Sequence, residues 1–302
     1  MSDKMNQNFN IMNSDGLLHI SLLEGQARAL LVDSTHLVEE ARALHGLSRT
    51  ATAALGRHLT ATAMLGAMLK GEKDSVTATI KGGGPLGAVV AVGRADGSVK
   101  GYVDHPEADP PRRSDKKLNV GAAVGRDGKL TVVKDLGLRD PYVGQINLVS
   151  GEIAEDFAMY FTASEQTPSL VSLGVMVEDR VLAAGGLLIQ PLPGCSEIAL
   201  RSLETSAPMF MNISATILEY GLKDSVFQLL GHLQPEVLEQ KQPVYRCDCS
   251  RARMERVLIS LGEQELQDMI NTQHGAEIHC HFCNRYHRFS EQELKDLLNQ
   301  AQ

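Results

Sequence analysis

Two close pairs of cysteines near the C-terminus, Cys247-x-Cys249 and Cys280-x-x-Cys283, limit what this chain can fold into more than any other feature. Thiols one or two residues apart supply two sulfurs from a single turn of chain. Two such pairs complete the tetrahedral four-sulfur set that zinc takes in structural sites. The thirty residues between the pairs must then fold so that the two ends meet. Ser250 can cap a helix over RARMERVLISLG, GEQELQDMI reads as a second helix, and Ser290-Glu291-Gln292-Glu293 is a capping box for a terminal helix EQELKDLLNQ. Residues 244–302 are therefore expected to be a small helical module clamped by one zinc ion per chain. His279 and His281 flank Cys280 and offer nitrogen, but four sulfurs already fill a tetrahedral site. Cys195 stands alone after PLPG, with no base nearby in sequence, and reads as a small hydrophobe.

Composition narrows the function. Apolar residues make up 43% of the 302, which is globular, and 29 basic against 37 acidic residues leave a formal charge of −8. A general binder of polyanions needs a basic face, so this balance argues against nucleic acid as a partner. The start, MSDKMNQNFN, has no apolar run of signal-peptide length, and the stretch 48–70 is interrupted by Arg57, His58 and Lys70. The expected location is the cytoplasm, with no membrane contact. In that reducing compartment cysteines serve as metal ligands or redox groups more often than as structural disulfides.

The rest of the chain reads as an α+β protein in three parts. Residues 1–194 form a mixed α/β core domain. Strands are expected on both sides of Gly25, and helices from Ser34 or Thr35 to Leu47 and from Ser48 to Gly71. SVTATIKG, PLGAVVAVGR, SVKGYVD, NVGAAVG, KLTVVKDL and QINLVSG carry strand signals, 152–164 has helical spacing, and SLVSLGVMV with VLAAGGLLIQ makes a long apolar hairpin. Residues 195–243 form a helical linker rich in Ser, Thr and Met that ends in a polar joint at Gln240, Lys241, Gln242 and Pro243. Gly82-Gly83-Gly84-Pro85-Leu86-Gly87 matches a dinucleotide fingerprint by letter, yet a strand follows where a helix should, so it reads as a turn. HCHFCNRYHRF mixes aromatics with arginines, and its aromatics are expected to be core of the small module.

CDC…CHFC resembles the zinc-binding tail of the heat-shock protein 33 family. GPLGAVVAVGRADGSVKGYVDHP, YVGQINLVSGEIAEDFAMYFTASEQTPSLVSLGVMV, GGLLIQPLPG and CDCSRARMERVLISLG resemble that family's stretches in the family's order, from about residue 15 onward. The resemblance implies a cytoplasmic holdase that needs no nucleotide, is not an enzyme, and binds unfolded or partly unfolded client proteins. It implies zinc on Cys247, Cys249, Cys280 and Cys283 in an inactive reduced form. It also implies disulfides Cys247–Cys249 and Cys280–Cys283 in an active oxidised form, a homodimer in that form, and a metastable linker over 195–243. It assigns no client-binding residue and no role to Cys195.

The cysteine spacing suits a switch. Zinc ties two arms thirty residues apart, whereas a disulfide inside each arm closes a loop of only a few residues and constrains little. Two other classes remain as alternatives. A zinc-module nucleic-acid binder needs the reduced, metal-loaded form, and a thiol-disulfide oxidoreductase needs its Cys-x-x-Cys at a helix N-terminus.

Overall fold

The computed structural model describes residues 15–301; the first stretch, with its expected lack of a signal-like run, lies outside them. The chain divides into two compact units that meet in sequence at Tyr245 and Arg246.

The first unit begins with a hairpin, β1 (Gly16–Leu22) and β2 (Ala27–Asp33), and then α1 (Thr35–His45). Gly46 ends α1 in the left-handed conformation (φ 61°), its N–H reaching the Arg42 carbonyl. Ser48 caps α2 (Arg49–Ala67) by accepting from the Ala51 N–H at 3.0 Å. Almost every residue of α2 is buried, because both sheets of the unit pack on it. Small residues allow that close approach. Thr52, Thr60 and Thr62 hide their hydroxyls on carbonyls one turn back, those of Ser48, Gly56 and His58. The helix stops at Ala67, short of the expected Gly71, because the chain must reverse before the next strand. The Asp74 carboxylate closes that reversal by accepting from the Gly71 N–H.

There follow β3 (Ser75–Lys81), β4 (Ala88–Arg94), β5 (Ser98–Val103), α3 (Val120–Val124), β6 (Lys129–Asp135), β7 (Tyr142–Asn147) and α4 (Ala154–Ala163). The segment NVGAAVG, expected as a strand, forms α3 instead. The Asn119 side chain accepts from the Ala122 N–H, and Val120, Ala123 and Val124 bury at helical spacing. The glycine-rich loop 82–87 packs its backbone on this turn, with Gly84 N–H donating to Val124 O and Leu86 N–H to Ala123 O. Side chains at Gly82 and Gly84 would collide with the backbone around Ala123–Gly125, so these glycines serve packing.

The long hairpin β8 (Leu170–Val177) and β9 (Val181–Pro191) leads to α5 (Glu197–Ser206), a 3-10 turn (Ala207–Phe210) and α6 (Ile213–Leu230). On either side of Gln242 and Pro243 of the polar joint lie two strands that the sequence did not announce, β10 (Glu236–Lys241) and β11 (Val244–Tyr245). The five-stranded sheet runs β10-β1-β2-β9-β8 and the six-stranded sheet β11-β5-β4-β3-β6-β7, all antiparallel except the β11–β5 pair. A core of forty side chains surrounds α2 between the sheets. The other face of the five-stranded sheet (Leu18, Ile20, Leu22, Leu31, Leu187, Ile189) is covered by Leu203, Phe210, Ile213, Ile217, Val226 and Leu229 of α5, the 3-10 turn and α6. Ile198, Met209, Met211 and Phe227 are exposed on the linker's outer side. Gly221 breaks α6 with φ 70° and ψ 175°, a conformation open to glycine alone.

The second unit contains α7 (Arg251–Ser260), α8 (Glu263–Asp268), a hairpin of β12 (Gly275–His279) and β13 (Tyr286–Ser290), and α9 (Glu291–Ala301). The hairpin is an addition to the helical module expected. Among the described residues its hydrophobic core has seven buried side chains, Met254, Leu258, Leu266, Ile270, Phe289, Leu294 and Leu297. Among the described residues, no helix of either unit is long and apolar enough to cross a membrane.

Candidate metal centre

Each cysteine pair is held by its own local structure. Cys280 and Cys283 lie in the turn joining β12 to β13. Cys280 N–H donates to Arg285 O at 2.9 Å, and Cys283 and Asn284 N–H groups both donate to Cys280 O, at 3.2 and 2.8 Å. Asn284 takes φ 53°, which a short polar side chain tolerates. Cys247 and Cys249 lie on an extended run ahead of α7. Ser250 caps that helix by accepting from Arg253 N–H at 3.3 Å, and the Arg253 guanidinium pairs with Asp248 between the two cysteines at 2.5 Å. The capping box at the start of α9 forms as expected: the Glu293 carboxylate accepts from Ser290 N–H at 2.8 Å, and Ser290 Oγ accepts from Glu293 N–H at 3.4 Å.

The four sulfurs converge. Cys247 Sγ is 3.7 Å from Cys280 Sγ, Cys249 Sγ is 3.3 Å from Cys283 Sγ, and all four lie within 4.8 Å of one another. Sulfurs about 2.3 Å from a central ion at tetrahedral angles are about 3.8 Å apart, so the cluster has the size of a metal cage. Cys280 and Cys283 are buried, and Cys247 and Cys249 half-buried. All five cysteines are free thiols, and Cys195, in the first unit, is not part of the cluster.

The electrostatics ask for a cation. Burial pushes the Cys247 thiol up to about 11, although the Cys249 N–H favours its thiolate. Burial and then the neighbouring thiols raise Cys249 as well. At Cys283 burial opposes ionisation, but the Arg285 N–H and the three other thiols outweigh it and its pKa is lowered. Four thiolates so close repel one another, and a dication among them inverts that penalty. Donor type, spacing and burial all fit a soft metal ion.

His279 is stacked on Tyr286 (centroids 4.7 Å apart) and lies 5.1 Å from the ring of His281, and neither histidine joins the cluster. Of the aromatics in the 279–289 stretch, expected to be core, only Phe289 is buried; Phe282 is half-buried and Tyr286 is 58% exposed. Phe289 is buried beneath the Arg251 guanidinium (4.4 Å), and Arg288 pairs with Glu277 at 2.5 Å. The Cys-x-x-Cys pair sits in a hairpin turn and not at a helix N-terminus. Sequence reasoning missed two supporting groups, the Asp248–Arg253 pair and the Arg285 backbone. The only signal for the first was a carboxylate between two cysteines with an arginine one turn later.

Comparison with known proteins agrees with this architecture. The family model described as Hsp33 protein matches residues 15–290. The 33 kDa chaperonin of Alkaliphilus metalliredigens is 45% identical over 95% of this chain and 99% of its own length. That of Bacillus cytotoxicus is 44% identical over 94% of this chain and 98% of its own. The crystal structure of the 33 kDa chaperonin (heat shock protein 33 homolog) from Thermotoga maritima superposes with a TM-score of 0.85 at 36% identity, covering 95% of this chain and 98% of that one. The fold, the cysteine cluster and these matches over nearly the whole length together show that the chain belongs to the Hsp33 family of chaperones.

Proposed function

We propose that this protein is a redox-switched, ATP-independent holdase of the cytoplasm, inactive while reduced and zinc-bound and active once its four clustered cysteines are oxidised. The observation that carries this reading is the convergence of sulfurs from positions 247/249 and 280/283 within 4.8 Å. Zinc bound there would supply a cross-brace between the two arms and keep the sulfurs as thiolates. Oxidation joins Cys247 to Cys249 and Cys280 to Cys283. Two equivalents of hydrogen peroxide take four electrons and, with four protons, leave as four waters. The arms are then closed locally and no longer tied to each other.

The energetics support the loss of the second unit's fold. Its seven core side chains contribute roughly 1.5–3 kcal/mol each. Structural zinc contributes on the order of 10–16 kcal/mol in small peptides, comparable to that whole core. The linker (195–243) is the second step. Its helices hold the apolar face of the five-stranded sheet through buried side chains such as Phe210, Ile213 and Ile217, and Gly221 interrupts the longer one. Undocking bares Leu18, Ile20, Leu22, Leu31, Leu187 and Ile189 on the sheet and Leu203, Phe210, Ile213 and Ile217 on the linker, beside Met209 and Met211, which are exposed already, a surface fit for unfolded clients. Pairing into a homodimer in the oxidised form belongs to the same reading. The test is light scattering of a heat-aggregating client with the reduced, zinc-loaded protein and with the peroxide-treated protein, metal release being followed in the same samples. Suppression of aggregation only after metal release is expected. Equal activity of both forms, or oxidation without metal release, would refute it.

A further inference from the structure

Residues 236–245, between the linker helices and the cysteine cluster, close one edge of each sheet: β10 is an outermost strand of the five-stranded sheet and β11 of the six-stranded sheet. The two partners at the first edge are unequal. β1 is fixed from behind by β2 along its whole length, and its Leu17, Leu18, Ile20 and Leu22 are buried. β10 pairs with β1 from Leu17↔Lys241 to Ser21↔Glu236, with an irregularity at His19/Ile20. Its side chains add only a His19–Glu239 contact at 3.8 Å and a bond from Lys241 Nζ to Ala67 O at 3.4 Å, since Glu236 to Gln240 are exposed and Val237 and Leu238 remain 50% and 65% accessible. Glu, Gln and Lys are also poor strand formers. β10 is therefore held mainly by its backbone, as a weak occupant of a rigid edge.

We propose that the β1 edge, once β10 leaves with the linker, accepts an extended segment of an unfolded client as an added strand, β10 being its built-in competitor. The proposal rests on the redox-switched reading and specifies how that form grips its clients. A bare sheet edge offers a row of N–H and C=O groups. Pairing through them makes no demand on sequence, which suits a binder of unrelated unfolded chains. The edge also adjoins the apolar face that the linker covers, where Leu18, Ile20 and Leu22 of β1 lie. Alternate side chains of an added strand would extend that face, so a client rich in β-branched residues displaces the polar β10.

The test uses the full-length, peroxide-treated protein and two labelled probes. One is a short extended peptide of alternating valine and threonine. The other is the same peptide methylated at backbone nitrogens facing both sides, which removes N–H donors and keeps every side chain. Hydrogen exchange of residues 16–22 should rise on oxidation and fall again with the first peptide. The methylated peptide should bind roughly tenfold or more weakly, the equivalent of a few lost hydrogen bonds, and restore no protection. Equal binding of the two, binding that leaves β1 unprotected, or no binding of either overturns the proposal. Protection that returns with rising protein concentration and no peptide assigns the edge to a second copy of the chain and also overturns it. Metal release and suppression of client aggregation are measured in the same samples. Their absence overturns the redox reading itself, and this proposal with it.

Discussion

At the scale of single residues, the cluster and the cores set different tests. Replacing Cys283 with Ser takes one sulfur from the four. Metal affinity is expected to fall by at least about 100-fold, beyond the 10–100-fold typical of groups that merely support ligands. Cys195→Ser should leave metal stoichiometry unchanged, and metal titration of both variants checks this. His58 gives a pH prediction in the first unit. It is fully buried, its Nε2 donates to Ala78 O at 2.9 Å, and burial lowers its pKa to about 4. The unfolded chain takes up this proton near the ordinary value of 6.5, whereas the folded chain resists until about 4. The resulting contribution is complete above pH 6.5 and is lost as pH falls toward 4, up to about 3 kcal/mol. Denaturant melts at pH 7 and 4.5 should show that decline, and His58→Gln should flatten it. The cysteine pairs were legible in sequence because ligand spacing is a local property. The cause of the His58 shift was not, because it is imposed by residues such as Phe157, whose ring is 5.6 Å away.

At the scale of elements, the short β11 is a latch. The Tyr245 hydroxyl donates to Gly101 O at 2.7 Å, accepts from Gly101 N–H at 3.3 Å, and lies 3.0 Å from His45 Nε2. One side chain thus occupies both main-chain groups of Gly101 on β5. Tyr245→Phe removes these contacts at a cost of about 1 kcal/mol, roughly a fivefold shift in the opening of this segment. Hydrogen exchange of residues 236–245 should quicken accordingly, and peroxide activation with it, while metal stoichiometry stays unchanged. Helix ends with capping chemistry, such as Ser48, Ser250 and the Ser290–Glu293 box, could be read from sequence because a cap is satisfied within four residues. NVGAAVG misled because Val120 and Val124, four residues apart, share a face in a strand as well as in a helix, and the Asn119 cap and burial against neighbouring elements selected the helix.

At the scale of the whole molecule, two units with very different cores should not melt together. The first has forty buried side chains around α2 besides the linker-covered face, and the second has seven. Chelation of metal from the reduced protein is expected to abolish the calorimetric transition of residues 246–302 and to leave that of the first unit, a departure from two-state behaviour. A single transition unaffected by chelator would contradict the role given to the metal.

The amino-acid order alone established the α+β class, the four thiols and the chemistry they suit, because residue type, short spacing and periodicity are carried by neighbours in the chain. Only the tertiary structure decided that residues 236–245 are strands and that they seal both sheets. Glu236 and Lys241 have no local preference for a strand. Their conformation is set by main-chain groups on β1, more than two hundred residues earlier in the chain, which stay unpaired unless that partner arrives.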